Sequence, residues 1–135
     1  MNNKKLFLDD YRIPLNTYSY TKNHIYLLDW DVVTNYDEFV NYITNNGVPD
    51  VISFDHDLGD EHYTNNSNIN YSEFKEKTGY DCAKWLIDYC IDNDLDFPKV
   101  IYIHSMNPYG SLNIESIFLT INKVFNKNIE VSRYC

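Results

Sequence analysis

Three short apolar runs in this chain stop abruptly at residues that bind protons or cations. Lys5-Leu6-Phe7-Leu8 meets Asp9-Asp10, Val51-Ile52-Ser53-Phe54 meets Asp55-His56-Asp57, and Lys99-Val100-Ile101-Tyr102-Ile103 meets His104-Ser105. Apolar runs bounded in this way read as buried strands. Residues 27–33 (LLDWDVV) read as another strand, and Ile129-Glu130-Val131 as an edge strand. Helical patterns lie between them. Asn35 and Glu38 form a capping box for a helix with Tyr36, Phe39, Val40 and Ile43 on one face, closed by Gly47 with Pro49 beyond. Thr78 caps a helix running to about residue 93, with Ala83, Leu86, Ile87, Cys90 and Ile91 inward. Ser111 caps a last helix carrying Ile114, Ile117, Phe118, Ile121, Val124 and Phe125 on one stripe. Alternating strands and helices predict an α/β domain, a three-layer sandwich around a mostly parallel sheet of about five strands.

Other segments are less regular. Residues 11–26 lack a clear period and contain Pro14, so they read as a loop with an irregular hairpin. Residues 60–77 are polar and are expected to be a mobile lid beside the site. Asn107-Pro108-Tyr109-Gly110 has the chemistry of a turn.

The 135 residues suit a single domain, 1–135, and 44% hydrophobic content supplies an ordinary core. No apolar run is long enough for a membrane span, and the apolar stretch in MNNKKLFLDD is too short for a signal peptide. Cys82, Cys90 and Cys135 form no CxxC motif, and Cys82 and Cys90 stand about two helical turns apart, so a reducing cytoplasm is expected. The net charge of −9 argues against tracking along nucleic acid. A nucleotide or a single RNA end in a pocket remains compatible with it.

In a parallel sheet, ligands bind beyond the carboxyl ends of the strands. Strand direction alone therefore gathers Asp9, Asp10, Asp55 and Asp57 at one rim with His56, His104 and Ser105. Crowded carboxylates repel unless a cation joins them, and hard divalent ions such as Mg²⁺ or Mn²⁺ take oxygen ligands. The four aspartates are the candidate metal ligands, although any one alone is as readily a loop or helix cap. His56 and His104 are the candidate acid and base, with a structural role as the alternative for each. Arg12 can grip a phosphate with its planar fork or pair with an aspartate. Ser105 and Asn107 can donate to phosphate oxygens, and they also shape the turn that follows. His24 and His62 read as surface residues. Tyr11, Tyr18, Tyr20 and Tyr63 read as packing under loops, with base stacking as the alternative.

Leu6-Phe7-Leu8-Asp9-Asp10-Tyr11-Arg12-Ile13-Pro14, Ser53-Phe54-Asp55-His56-Asp57-Leu58-Gly59, Thr78-Gly79-Tyr80-Asp81 and His104-Ser105-Met106-Asn107-Pro108-Tyr109-Gly110 together resemble the cyclic-phosphate-processing receiver-like domains. The resemblance implies a flavodoxin-like fold and metal-dependent action on a cyclic phosphate, either a cyclic nucleotide or a 2′,3′-cyclic phosphate RNA end. It carries over onto Asp9, Asp10, Arg12, Asp55, His56, Asp57, His104, Ser105 and Asn107. One departure from phosphoacceptor receivers stands out: no lysine follows the fifth strand, which ends in Ile129-Glu130-Val131-Ser132-Arg133-Tyr134-Cys135. The leading expectation is a bacterial or phage phosphoesterase. A haloacid-dehalogenase-like phosphatase using Asp55-His56-Asp57 is one alternative. A non-enzymatic receiver-type signalling or nucleotide-binding module is the other.

Overall fold

The computed structural model describes residues 4–59, 69–74 and 76–135. Five strands form one sheet: β1 (Lys5–Leu8), β2 (Asp31–Val33), β3 (Val51–Phe54), β4 (Val100–Ile103) and β5 (Glu130–Arg133). Every pairing is parallel, in the order β2-β1-β3-β4-β5. That is the flavodoxin-like order of a doubly wound sheet. Four α-helices make the connections: α1 (Pro14–Thr21), α2 (Tyr36–Asn46), α3 (Gly79–Asp92) and α4 (Pro108–Phe125).

The strands alternate faces residue by residue. Leu6, Leu8, Ile52, Phe54, Ile101 and Ile103 join the main core with Phe39, Ile43, Leu86, Ile114 and Phe118 from α2, α3 and α4. Phe7 faces the other way, into an aromatic layer, with its ring 6.1 Å from Tyr26 and 6.0 Å from Trp30. Ser53 shares that face and bonds to Tyr26.

The helix caps explain the element boundaries. Asn35 caps α2 by accepting from the Glu38 amide, whereas Glu38 reaches back to Thr34 and so does not close the expected box on Asn35. Gly47 ends α2 with φ 89, a left-handed conformation that favours glycine. Thr78 and Asp81 complete a true capping box at α3.

Several expectations are corrected. Residues 11–26 are not a loop: Pro14 opens α1, and a short 3-10 helix spans His24–Leu27. Proline at the first helical position loses no hydrogen bond, so there it starts a helix rather than breaking one. The same physics corrects the Asn107–Gly110 turn. Asn107, not Ser111, caps α4, with Pro108 at its first position. The strand expected at 27–33 is confined to Asp31–Val33, because Asn23 caps the 3-10 turn that takes up Leu27. The edge strand extends to Arg133.

Of the expected lid at 60–77, residues 60–68 and 75 lie outside the described residues, so its mobility does too. Within the described part, Tyr71–Glu73 forms a 3-10 turn. No helix among the described residues is long and apolar enough to cross a membrane.

Candidate active site

The order β2-β1-β3 reverses the direction of winding between β1 and β3. The crevice at such a switch point, beyond the strand ends, is where this architecture binds ligands. Asp9 follows β1 and Asp55 follows β3, one on each side of it.

Asp9 is held on every side. Its Oδ1 accepts from the amides of Tyr11 and Arg12 at 2.9 and 2.8 Å. Its Oδ2 lies 3.0 Å from His104 Nε2 and 3.6 Å from the Arg12 guanidinium. Burial alone would push the Asp9 carboxyl up. The hydrogen bond from His104 and those from the two amides outweigh burial and hold Asp9 below the usual carboxylate range.

Asp55 is only 3% exposed, and its Oδ1 accepts from the His56 amide at 2.9 Å. Burial, then the charges of Asp9 and Asp57, push its carboxyl well above the ordinary range, with Arg12 opposing. Gly79 keeps this corner tight. A Cβ there would stand 1.7 Å from the Asp55 carbonyl oxygen.

His104 is fully buried. Its Nδ1 lies 2.7 Å from Ser53 Oγ, and its ring stacks on Phe7 at 4.4 Å and 7°. Burial pushes the imidazole below its usual range despite the neighbouring Asp9. At neutral pH the pair is therefore a carboxylate and a neutral ring that donates to it. The Tyr20 hydroxyl donates to the His104 carbonyl, which ties α1 to the end of β4. Burial pushes the Tyr20 phenol up to about 12.

His56 is equally buried but belongs to the opposite side of the sheet, against the start of α4. A Cβ on Gly110 would stand 2.3 Å from its ring. Its Nδ1 lies 2.8 Å from Asp57 Oδ1, which also accepts from the Asn107 amide group at 3.1 Å. Its Nε2 lies 2.8 Å from the Tyr71 hydroxyl, which Asn113 supports from 3.0 Å. Asp57 thus orients His56, and a tyrosine occupies the far nitrogen.

Asp9, Asp55 and His104 offer ligand atoms that all lie within 4.8 Å of one another. Among the described residues, Asp10 and Asp57 do not join that group. Asp10 is exposed at the rim, where its charge still raises Asp55. Ser105 Oγ accepts from the Asn107 amide, and the Asn107 side chain accepts from Gly110 while donating to Asp57. Both residues thus commit polar atoms to the start of α4. Ser53, Tyr26, Tyr71 and Asn113 were not anticipated. For Ser53 a signal existed: a hydroxyl in the middle of an apolar strand needs a buried partner.

An all-parallel flavodoxin-like sheet with an acidic crevice at its switch point defines a receiver-like domain. The match to the model of the cyclic-phosphate processing receiver domain spans residues 4–120, and the chain belongs to that family. Curated proteins give no match in sequence. Among solved structures, the chain is similar to the signal receiver domain of a protein described as a Luxo repressor from Vibrio parahaemolyticus. The identity is 16%, with 98% of this chain and 78% of that chain covered and a TM-score of 0.49. It is also similar to a fusion bearing a yeast Spc42 trimeric coiled coil, at 16% identity, 92% and 75% coverage and a TM-score of 0.45. The assignment of the fold rests on the strand order and the family match.

Proposed function

We propose that this protein is a divalent-cation-dependent phosphoesterase that opens a cyclic phosphate, on a small nucleotide or at a 2′,3′-cyclic phosphate end of RNA. The observation that carries the reading is the pair of buried carboxylates, Asp9 and Asp55, across the switch point. Asp55 is pushed up by burial and by the charges of Asp9 and Asp57, which Arg12 only partly offsets. Hard oxygen donors confined in this way fit Mg²⁺ or Mn²⁺. Asp9 and Asp55 would hold the ion, with Asp10 acting from the rim. Asp57 serves His56 instead. When bound, such an ion supplies charge to phosphoryl oxygens and activates water.

The remaining chemistry belongs to side chains. Arg12 is half-buried beside Asp9 and takes a phosphate oxygen. Opening the ring adds water across one P–O bond, so water gives up a proton and the leaving ribose oxygen gains one. His56, oriented by Asp57, handles this proton traffic once its Nε2 exchanges the Tyr71 hydroxyl for substrate or water. His104 was expected to share that work. Its two nitrogens instead face Ser53 and Asp9.

The test is direct. The protein is incubated with Mg²⁺ or Mn²⁺ and cyclic mononucleotides, cyclic dinucleotides or RNA with cyclic ends, and products are followed by ³¹P NMR. Cation-dependent conversion of a cyclic phosphate to an open phosphate ester is the expected result. No conversion, together with stable phosphorylation of Asp55 by a small phosphodonor, would support the signalling reading instead. That reading is favoured by the place of Asp55 at the end of the central strand. The haloacid-dehalogenase-like alternative uses Asp55-His56-Asp57 as one unit, whereas Asp57 is turned to His56 and Asn107.

A further inference from the structure

A buried line of hydrogen bonds runs from the aromatic layer to the acidic crevice. Tyr26 Oη lies 2.7 Å from Ser53 Oγ, Ser53 Oγ lies 2.7 Å from His104 Nδ1, and His104 Nε2 lies 3.0 Å from Asp9 Oδ2. All four residues are buried.

The direction of these bonds follows from counting hydrogens. The Asp9 carboxylate already accepts from two amides and has no hydrogen to give, so Nε2 is the donor. Suppose Nδ1 also carried a hydrogen. It would donate to Ser53, the Ser53 hydrogen would turn to Tyr26, and the phenol hydrogen would need another acceptor. Among the described residues, Ser53 is the hydrogen-bond partner of that phenol, and a buried donor without an acceptor is costly. The hydrogens therefore point one way, from Tyr26 to Ser53 to His104 to Asp9. Phe7 stacks flat on the imidazole and holds its plane.

We propose that Ser53 and Tyr26 are positioning residues of the site: they hold His104 in the tautomer with its hydrogen on Nε2, and through it they fix the Asp9 carboxylate that faces the cation. This rests on the reading of Asp9 as a cation ligand. It makes His104 an orienting group, with Nε2 committed to Asp9 and Nδ1 to Ser53 rather than to substrate. Groups that hydrogen-bond a ligating side chain tune affinity in this way, and losing one typically costs about 10–100-fold.

The experiment uses the full chain with ¹⁵N-labelled histidine at neutral pH, the His104 signals being assigned by their loss in His104→Gln. Mn²⁺ affinity is read separately by electron paramagnetic resonance of the free ion. The expected wild-type signature is a hydrogen-bearing Nε2 and a bare Nδ1. In Ser53→Ala that signature blurs into exchange between tautomers, and Mn²⁺ binding weakens about 10–100-fold. Tyr26→Phe keeps the ring and the Ser53–His104 bond. It retains the tautomer, shifts the Nδ1 signal, and weakens Mn²⁺ less than about 10-fold. It carries the test if Ser53→Ala does not fold. A hydrogen on wild-type Nδ1 overturns the proposal, and so do variants that lower the melting temperature while leaving signature and affinity unchanged. If the wild type binds no Mn²⁺, the cation reading fails, and the tautomer still decides the relay.

Discussion

His104 Nε2 donates to Asp9 Oδ2 at 3.0 Å although the residues lie 95 positions apart and their strands are not neighbours. Strand β3 runs between β1 and β4, so this bond closes over the strand that leads into Asp55. The two buried carboxylates are therefore unequal. Asp9 is supported by an imidazole and two amides, while for Asp55 burial and like charge outweigh the His56 amide and Arg12.

That inequality predicts opposite signs for two similar substitutions. The folded-state value of Asp55 is raised above the unfolded one, about 3.9. Its stabilising effect is present at lower pH and is lost as pH rises through the interval between the two values. Asp55→Asn should therefore raise the cation-free melting temperature by about 4 °C or more at pH 8, and by less at pH 4.5. Asp9 is depressed, so its contribution is present above the unfolded value and lost as pH falls through the folded one. Asp9→Asn should lower the melting temperature at pH 7. Thermal melts across pH 4.5–8 decide the matter, and shifts of equal sign at neutral pH would contradict it.

The two histidines should separate kinetically. His56→Ala should lower kcat by roughly 10²–10⁴-fold, the usual worth of a general acid or base. His104→Ala should act chiefly through a higher Mn²⁺ requirement, partly restored by excess ion. Melting temperature, kcat and cation titration are measured on the same samples. A kcat loss of that size in His104→Ala at saturating Mn²⁺ would return His104 to the proton transfer itself.

Arg12→Lys keeps the charge but removes the planar fork. A lost charge-assisted bond to phosphate is worth about 1.5–3 kcal/mol. KM should rise roughly 10- to 100-fold with a smaller change in kcat, provided the contact is made equally in ground and transition states. Steady-state kinetics on whichever cyclic phosphate is turned over would check this.

Two glycines set the spacing of the site. At Gly110 a new Cβ meets the His56 ring at 2.3 Å, and at Gly79 it meets the Asp55 carbonyl oxygen at 1.7 Å. Gly110→Ala should cost about 1–3 kcal/mol by displacing the ring. Gly79→Ala should cost more, because the obstacle is backbone. Urea unfolding of both variants gives the order, and a reversed order would show that the α3 start shifts more easily than His56.

What was legible in the sequence follows from how each signal is written. The strands before Asp9, Asp55 and His104 are short apolar runs with polar ends, and direction alone placed those ends at one rim. The start of α3 was legible because Thr78 caps it by local rules. Helix α1 was not. PLNTYSYT has no apolar stripe, only Thr17 is buried, and Pro14 reads as a break until it is recognised as a first helical residue. Partners supplied by distant segments were also invisible. Tyr26 and Tyr71 reach Ser53 and His56 from 3-10 turns that leave no periodic trace.

The strand order also sets a timetable for synthesis. Asp9 and Asp55 are made early, but the residue that steadies Asp9 arrives only at position 104, after α3 and β4. Until then an emerging chain carries both acids without that partner and cannot bury them cheaply. In chain order, closure of the crevice waits for β4, whose end supplies a long-range contact of the kind that slows folding, because the intervening chain must be ordered before it can form.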